Sequence, residues 1–163
     1  MHYRRARQPG GVYFFTVVTH GRQPSLTLPE NIDLLRQAVR HVQSLHPFAM
    51  PAHALLPDHW HCLWRLPEAD GDYSTRWRLI KHFVSIHART RPFWQGRFWE
   101  HLIRDDEDFR RHLDYIHYNP VRHGLAKSPG EWPHSSFAYY LEKGAYPPDW
   151  GVSIPEITGD FGE

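Results

Sequence analysis

Two histidines stand one residue apart in "LLPDHWHCLW", residues 55–64, and a tyrosine and an asparagine stand four apart in "LDYIHYNPVRHGL", residues 113–125. On a strand, side chains at i and i+2 leave the same face. His59 and His61 therefore emerge side by side, while Trp60 and Cys62 face the other way. Two neutral imidazoles at that separation form half of a divalent-metal site. On a helix, residues four apart lie one turn apart on one face, so Tyr115 sets a phenol beside the carboxamide of Asn119. A phenol so placed can act as a nucleophile, and the amide oxygen as a metal ligand. Each pair alone has a plainer explanation. One histidine can cap the Pro57-Asp58 turn and the other be a satisfied core residue, and the second pair can be a buried tyrosine with an asparagine that ends a helix.

The elements that must position these groups follow from hydrophobic period. "GVYFFTVVTH" (11–20) is β-branched and aromatic and reads as a buried strand. Residues 29–47 place Ile32, Leu35, Val39, Val42 and Leu45 at helical spacing, with Pro29 in the first turn and Pro47 as the stop. "FAMPAHALLP" (48–57) is a second strand in which Pro51 marks an edge or bulge. The Pro57-Asp58 turn leads into a third strand, 59–66. A second helix (74–90) carries Trp77, Ile80, Phe83, Val84 and His87 along one side, and 96–104 reads as a fourth strand. A third helix, 105–125, opens on acids that suit its dipole and stops near Asn119-Pro120. A short helical piece falls near 135–143. The order gives an α+β fold: a ferredoxin-like βαββαβ antiparallel sheet with helices on one face, plus an extra C-terminal helix carrying the tyrosine.

The 163 residues suffice for one domain with a real core, and 40% hydrophobic against 23% charged residues excludes a disordered chain. We expect one domain over 1–150 and an acidic tail over 151–163. No apolar run reaches the length of a membrane span and the start lacks a signal-peptide core, so the expected location is cytoplasmic. The single cysteine, Cys62, excludes a disulfide framework and a multi-cysteine zinc site. The net charge of +1 conceals a segregation. Residues 1–22 hold four arginines and no acid, residues 74–104 hold seven Lys or Arg against Glu100 alone, and residues 144–163 hold four acids and no Lys or Arg. Arginine dominates the basic stretch and alternates there with Trp77, Phe83, Phe93, Trp94, Phe98 and Trp99. Guanidinium forks match phosphate oxygens and exposed rings stack on unpaired bases, which suits a single-stranded polyanion. The acidic stretch is expected to lie over the groove that takes this polyanion and to moderate access to it.

Together, "LPDHWHCLW" and "YIHYNPVRHG" resemble the HUH superfamily of single-strand endonucleases and transposases, most closely the REP-associated tyrosine transposases. "FTVVTH" and "FWQGRFWEHLIRDDEDF" are similar to further family segments, and the resemblance spans roughly residues 3–150. It implies that Tyr115 is the nucleophile and that His59 and His61 bind metal, usually Mg2+ or Mn2+. Asn119 falls at the third ligand position, where many insertion-sequence relatives have glutamine. His112 and His117 compete for that position, although His117 is at the wrong helical angle from Tyr115. The implied reaction leaves DNA joined through its 5′ phosphate to Tyr115 with a free 3′-OH, at hairpins formed by imperfect palindromes. The implied partner is single-stranded DNA with a hairpin, with no membrane and no organic cofactor, and relatives in this branch tend to be monomers. Candidates for gripping DNA are Arg4, Arg5, Arg7, Arg76, Arg78, Lys81, Arg89, Arg91 and Arg97. The competing readings are a non-catalytic single-strand nucleic-acid-binding module on the same sheet, a zinc hydrolase that adds Asp58 or Glu100 to the histidines, and Cys62 as a nucleophile.

Overall fold

The computed structural model describes residues 7–163. Four strands, β1 (Val12–Val18), β2 (Ala49–Leu55), β3 (His59–Arg65) and β4 (Trp99–Leu102), form one antiparallel sheet in the order β2-β3-β1-β4. β1 and β3 are central, so both faces of each are covered, and this is why their sequences are almost continuously apolar. β2 is an edge strand whose register shifts between Ala49 and Ala52, around Pro51. A proline there forfeits no ladder bond.

Helices α1 (Pro29–Leu45) and α2 (Tyr73–His87) cover one face. Their core meets Phe15, Trp60, Cys62 and Trp64 from the sheet, with Trp64 stacked on Trp77 at 4.3 Å and 14°. Asp72 caps α2 by accepting from the backbone N–H of Thr75 at 3.0 Å. The other face is covered by α3 (Asp106–Arg122), whose Leu113, Tyr115 and Ile116 pack on Phe14, Ala52, Ala54 and Leu63. Asp105 caps α3 through the backbone N–H of Asp108 at 2.8 Å. Contrary to expectation, Asn119-Pro120 does not end this helix. It runs through Pro120 to Arg122 and terminates at Gly124, where φ is +71° and the Leu125 N–H returns to the Pro120 carbonyl at 2.9 Å. Only a residue at ease with positive φ makes that left-handed stop.

A last short helix, α4 (Phe137–Glu142), and the loop before it close the edge of β2. Ala54 bridges to Ser135, and the Ser136 N–H donates to the His53 carbonyl at 3.0 Å. His117, fully buried on α3, bonds Tyr146 Oη and Ser136 Oγ at 2.8 Å each, which ties this segment to the helix.

Burial holds four imidazoles neutral: His53, His61 and His112 titrate at about 4 and His117 at about 3. The unfolded chain takes up their protons near the ordinary histidine pKa, about 6.5. Their contribution is therefore complete above about pH 6.5 and is lost as pH falls towards 4. With all four acting, the slope approaches about 5 kcal/mol per pH unit near pH 5. Thermal melts between pH 4 and 8 should show a steep fall in Tm below pH 6. A His112→Gln variant should flatten that slope by close to one proton.

Candidate active site

His59 and His61 project from β3 towards α3, and Trp60 and Cys62 project into the opposite core. Each imidazole is oriented through Nδ1. His59 Nδ1 donates to Asp58 Oδ1 at 2.7 Å. His61 Nδ1 lies 2.8 Å from Oγ1 of its cross-strand partner Thr16. The Thr16 hydroxyl proton is committed to the Phe161 carbonyl at 2.6 Å, so Oγ1 accepts from His61 Nδ1. Both Nε2 atoms consequently point at one spot beneath α3. Outer-shell bonds of this kind fix the ring pose of histidines in metal sites, and these two rings are held in the same way.

α3 brings Tyr115 and Asn119 to the same spot, as their spacing requires. Asn119 Oδ1 is 3.1 Å from His59 Nε2. The Tyr115 ring lies 5.2 Å from the His61 ring, edge to face, and Arg122, two turns along the same helix face, places its guanidinium 5.4 Å from the Tyr115 ring. His112 and His117 do not join the group. His112 stacks on His101 and meets Phe14 and Phe161 at steep angles, and His117 faces Ser136 and Tyr146.

The centre of the group is held by the acidic tail. Glu163 Oε1 lies 2.5 Å from His61 Nε2 and 3.1 Å from His59 Nε2, and accepts from Asn119 Nδ2 at 2.7 Å. Oε2 meets His123 at 3.1 Å. Phe161 is buried and stacks on Tyr115 at 3.8 Å and 6°. These contacts set the protonation states. Burial alone would lower His59, but its hydrogen bonds to Glu163 and Asp58 outweigh it and raise its pKa. Burial pushes His61 down to about 4. Burial would raise Glu163, yet the two histidines hold it far below the usual carboxylate range. Burial, and then the hydrogen bond to Glu163, push the Tyr115 phenol well above its ordinary value.

The donor set suits a divalent ion. His61 Nε2 meets Glu163 Oε1 at 2.5 Å, the separation of a short hydrogen bond, so the carboxylate stands where a ligand of the imidazole pair would enter. Two imidazole nitrogens and an amide oxygen leave room for phosphate oxygens in a six-ligand shell.

Of the candidate DNA-gripping cations, Arg4 and Arg5 lie outside the described residues. Arg7, Arg78, Arg89, Arg91 and Arg97 are exposed, and half-buried Lys81 donates to the Gln95 carbonyl at 2.8 Å. The loop bearing Arg89, Arg91 and Arg97 is pinned beside the end of β1 nearest His59, through Gln95 N–H to Val18 O and the Thr19–Trp94 bridge. Arg76 does not reach the surface. It is 1% exposed, and its donors are spent on Asp70, Asp72, His46 and Pro47, so it staples α2 to the turn after α1. Glu100 pairs with Phe15 on the face opposite the histidines, Asp58 bonds His59 at Nδ1 rather than facing the Nε2 pair, and Cys62 is buried with its thiol pushed well above its ordinary pKa.

Sequence and fold place this chain among the tyrosine transposases. It is 42% identical over 156 residues to the REP-associated tyrosine transposase of Escherichia coli (strain K12), covering 96% of this chain and 94% of that protein. A Haemophilus influenzae relative of the same family is 42% identical over 174 residues, covering 98% of each. A solved structure of a REP-associated tyrosine transposase bound to a REP hairpin matches with a TM-score of 0.89 and 41% identity, over 100% of this chain and 97% of that one. The chain belongs to the REP-associated tyrosine transposase family. No protein-family model matches it. The fold alone is shared with a transposase-related crystal structure from Deinococcus radiodurans R1, at 16% identity and a TM-score of 0.50.

Proposed function

We propose that this protein cleaves and rejoins single-stranded DNA beside hairpins formed by repetitive palindromic elements, with Tyr115 as the nucleophile. One observation carries the reading: the Tyr115 phenol, the two Nε2 atoms and the Asn119 amide converge on one carboxylate, Glu163, the imidazoles and the amide at its Oε1. A substrate phosphate offers oxygens of the same kind. The Tyr115 oxygen forms a bond to phosphorus and gives its proton to water. The bond from phosphorus to the 3′ oxygen breaks, and that oxygen takes up a proton. The product is DNA joined through its 5′ phosphate to Tyr115, with a free 3′-OH. Because the phosphoester is conserved, a 3′-OH can reverse the step without ATP. A phenol with a raised pKa is a weak nucleophile, and the Arg122 guanidinium over the ring lowers the cost of its ionisation. His59, His61 and Asn119 would hold Mg2+ or Mn2+, which when bound neutralises charge on a non-bridging phosphate oxygen and favours loss of the phenol proton.

All of these groups come from β3 and α3 of one chain, so a monomer has a complete site. The exposed arginines of the 89–97 loop guide the strand, and the protein works on nucleoid DNA in the cytoplasm. Among the described residues no helix is long and apolar enough to cross a membrane.

The testing experiment incubates the protein with hairpin-bearing single strands and manganese, then seeks a covalent conjugate on a denaturing gel. A conjugate is expected, and its absence with both Mn2+ and Mg2+ overturns the proposal. In the same assay His59→Ala or His61→Ala should abolish cleavage while retaining most hairpin affinity, because affinity rests mainly on phosphate contacts. Equal loss of both would show that the histidines hold the fold.

A further inference from the structure

Across the sheet from Tyr115 lies a second polar feature that the cleavage chemistry does not use. A cavity of about 480 Å³ opens between α1, the edge strand β2 and residues 133–135, within the size range of small-molecule sites. Its polar lining includes Arg36, Arg40, Gln43, His53, Trp60 and His134, and no acid lines it. Trp60 is 4% exposed, yet its indole N–H has no hydrogen-bond partner, and Nδ1 of the adjoining His53 is likewise buried and unpartnered. The two rings meet edge to face at 6.5 Å. Trp64 and Trp77 also bury unpaired N–H groups, but they are stacked on each other inside the core. Trp60 instead lines the wall of the cavity. Buried donors are nearly always paired, so one left unpaired in a cavity wall is a feature that a ligand completes.

The chemistry of that ligand follows from the lining. His53 is neutral at physiological pH, so its ring offers one N–H and one lone pair beside the Trp60 donor. Arg36 and Arg40 stand one turn apart on α1, both exposed at the rim. Arg36 has only a loose contact with Asp33, at 4.0 Å between well-exposed side chains, which a phosphate readily displaces. A flat group rich in donors and acceptors, joined to an anion, satisfies the floor and the rim together.

We infer that this cavity takes one unpaired nucleotide of the single-stranded segment flanking the hairpin, its base against Trp60 and His53 and its phosphate at Arg36 and Arg40. This rests on the proposed single-strand substrate. Trp60 lies between His59 and His61 in sequence but on the other face of β3, so the sheet separates this nucleotide from the phosphate that is cut. The cavity therefore selects the strand rather than reacting with it.

A nucleotide in this cavity comes either from the bound strand or as a free nucleoside monophosphate, and the probes separate the two. Affinity is measured for a hairpin with single-stranded flanks and for the same hairpin without them, in the intact protein and in an Arg36→Ala/Arg40→Ala variant. The Trp60 indole N–H signal, assigned by Trp60→Phe, is followed by NMR with both DNAs, the four nucleoside 5′-monophosphates and inorganic phosphate. The double variant is expected to bind flanked DNA at least about tenfold more weakly, with a salt dependence shallower by about 1.4 for two lost phosphate contacts. It should bind the bare hairpin within about twofold of the intact protein. The Trp60 signal should move with flanked DNA and stay still with the bare hairpin and with phosphate. Unchanged affinity for flanked DNA, equal loss for both DNAs, or a Trp60 signal that flanked DNA leaves still overturns the inference. A signal that moves with a monophosphate but not with flanked DNA identifies a free nucleotide as the ligand and overturns the strand assignment. Failure of the cleavage proposal reads out separately, as a missing tyrosine conjugate with the flank-dependent affinity and the Trp60 shift intact.

Discussion

Replacing Tyr115 with phenylalanine eliminates the covalent protein–DNA conjugate and lowers strand cleavage by roughly 10^4-fold or more, as expected when the attacking group itself is removed. Hairpin affinity changes by less than about twofold. The substitution is conservative where the structure is most sensitive. The ring that stacks on Phe161 at 3.8 Å and meets Phe14 and His61 edge to face is retained, so the α3 face keeps its packing. What disappears is a hydroxyl whose partners are Glu163 and Asn119. Both have other partners, because Glu163 also binds three histidines and Asn119 also bonds His59 and Glu163. No buried group is orphaned, and stability should fall by no more than about 3 kcal/mol, for one hydrogen bond to a carboxylate and one to an amide. The decisive measurement is a denaturing-gel assay for conjugate beside a binding titration on the same sample. Cleavage that survived the change unaltered would remove Tyr115 from the chemistry. Cleavage and binding lost together would make the phenol a fold element.

The elements were legible in the sequence because their periods are clean. β1 and β3 are apolar on both faces, the signature of central strands, and α1 and α2 each carry one apolar stripe. Where sequence and structure differ, a local rule meets a tertiary fact. Pro120 reads as the stop of α3, but a proline in the last turn forfeits little, and Gly124 sets the true end. Charge alone groups Arg76 with the surface cations. Its helix phase, shared with Tyr73, Trp77, Ile80 and Val84, puts it inside, and backbone carbonyls from the end of α1 satisfy it there. In the site, spacing placed all four of His59, His61, Tyr115 and Asn119 on the right faces. Arg122 was open to the same argument, seven residues beyond Tyr115. Thr16 became visible only with the strand register, which sets it opposite His61. No local signal marks Phe161 or Glu163. Glu163 reaches His61 across a separation of 102 residues and Asn119 across 44, and only the folded chain shows them meeting.

That meeting carries the second large effect: truncation after Thr158 should accelerate conjugate formation by roughly ten- to a hundredfold. The tail occupies the site with three devices. Phe161 covers the face of Tyr115, the Phe161 carbonyl takes the Thr16 proton, and Glu163 places negative charge where a phosphate must enter. Gly162, at φ +74°, makes the last turn against the Trp99 ring, where a β-carbon would collide, so the approach of Glu163 is built rather than accidental. Substrate and tail cannot share the His59–His61 pair. The observed rate is then the intrinsic rate scaled by the open fraction, and a tail closed for nine-tenths of the time or more costs at least about tenfold. The contribution of charge separates from that of covering. Glu163→Gln keeps size and most hydrogen bonds but removes the anion, so it should recover part of the acceleration. Phe161→Ala uncovers the phenol and should recover another part. The check is single-turnover conjugate formation at saturating DNA for the three variants, beside thermal melts that confirm folding. A truncated chain that folds and binds the hairpin but reacts no faster would show that the tail leaves the site without hindrance when DNA arrives. Its contacts with the imidazoles would then belong to the free protein alone.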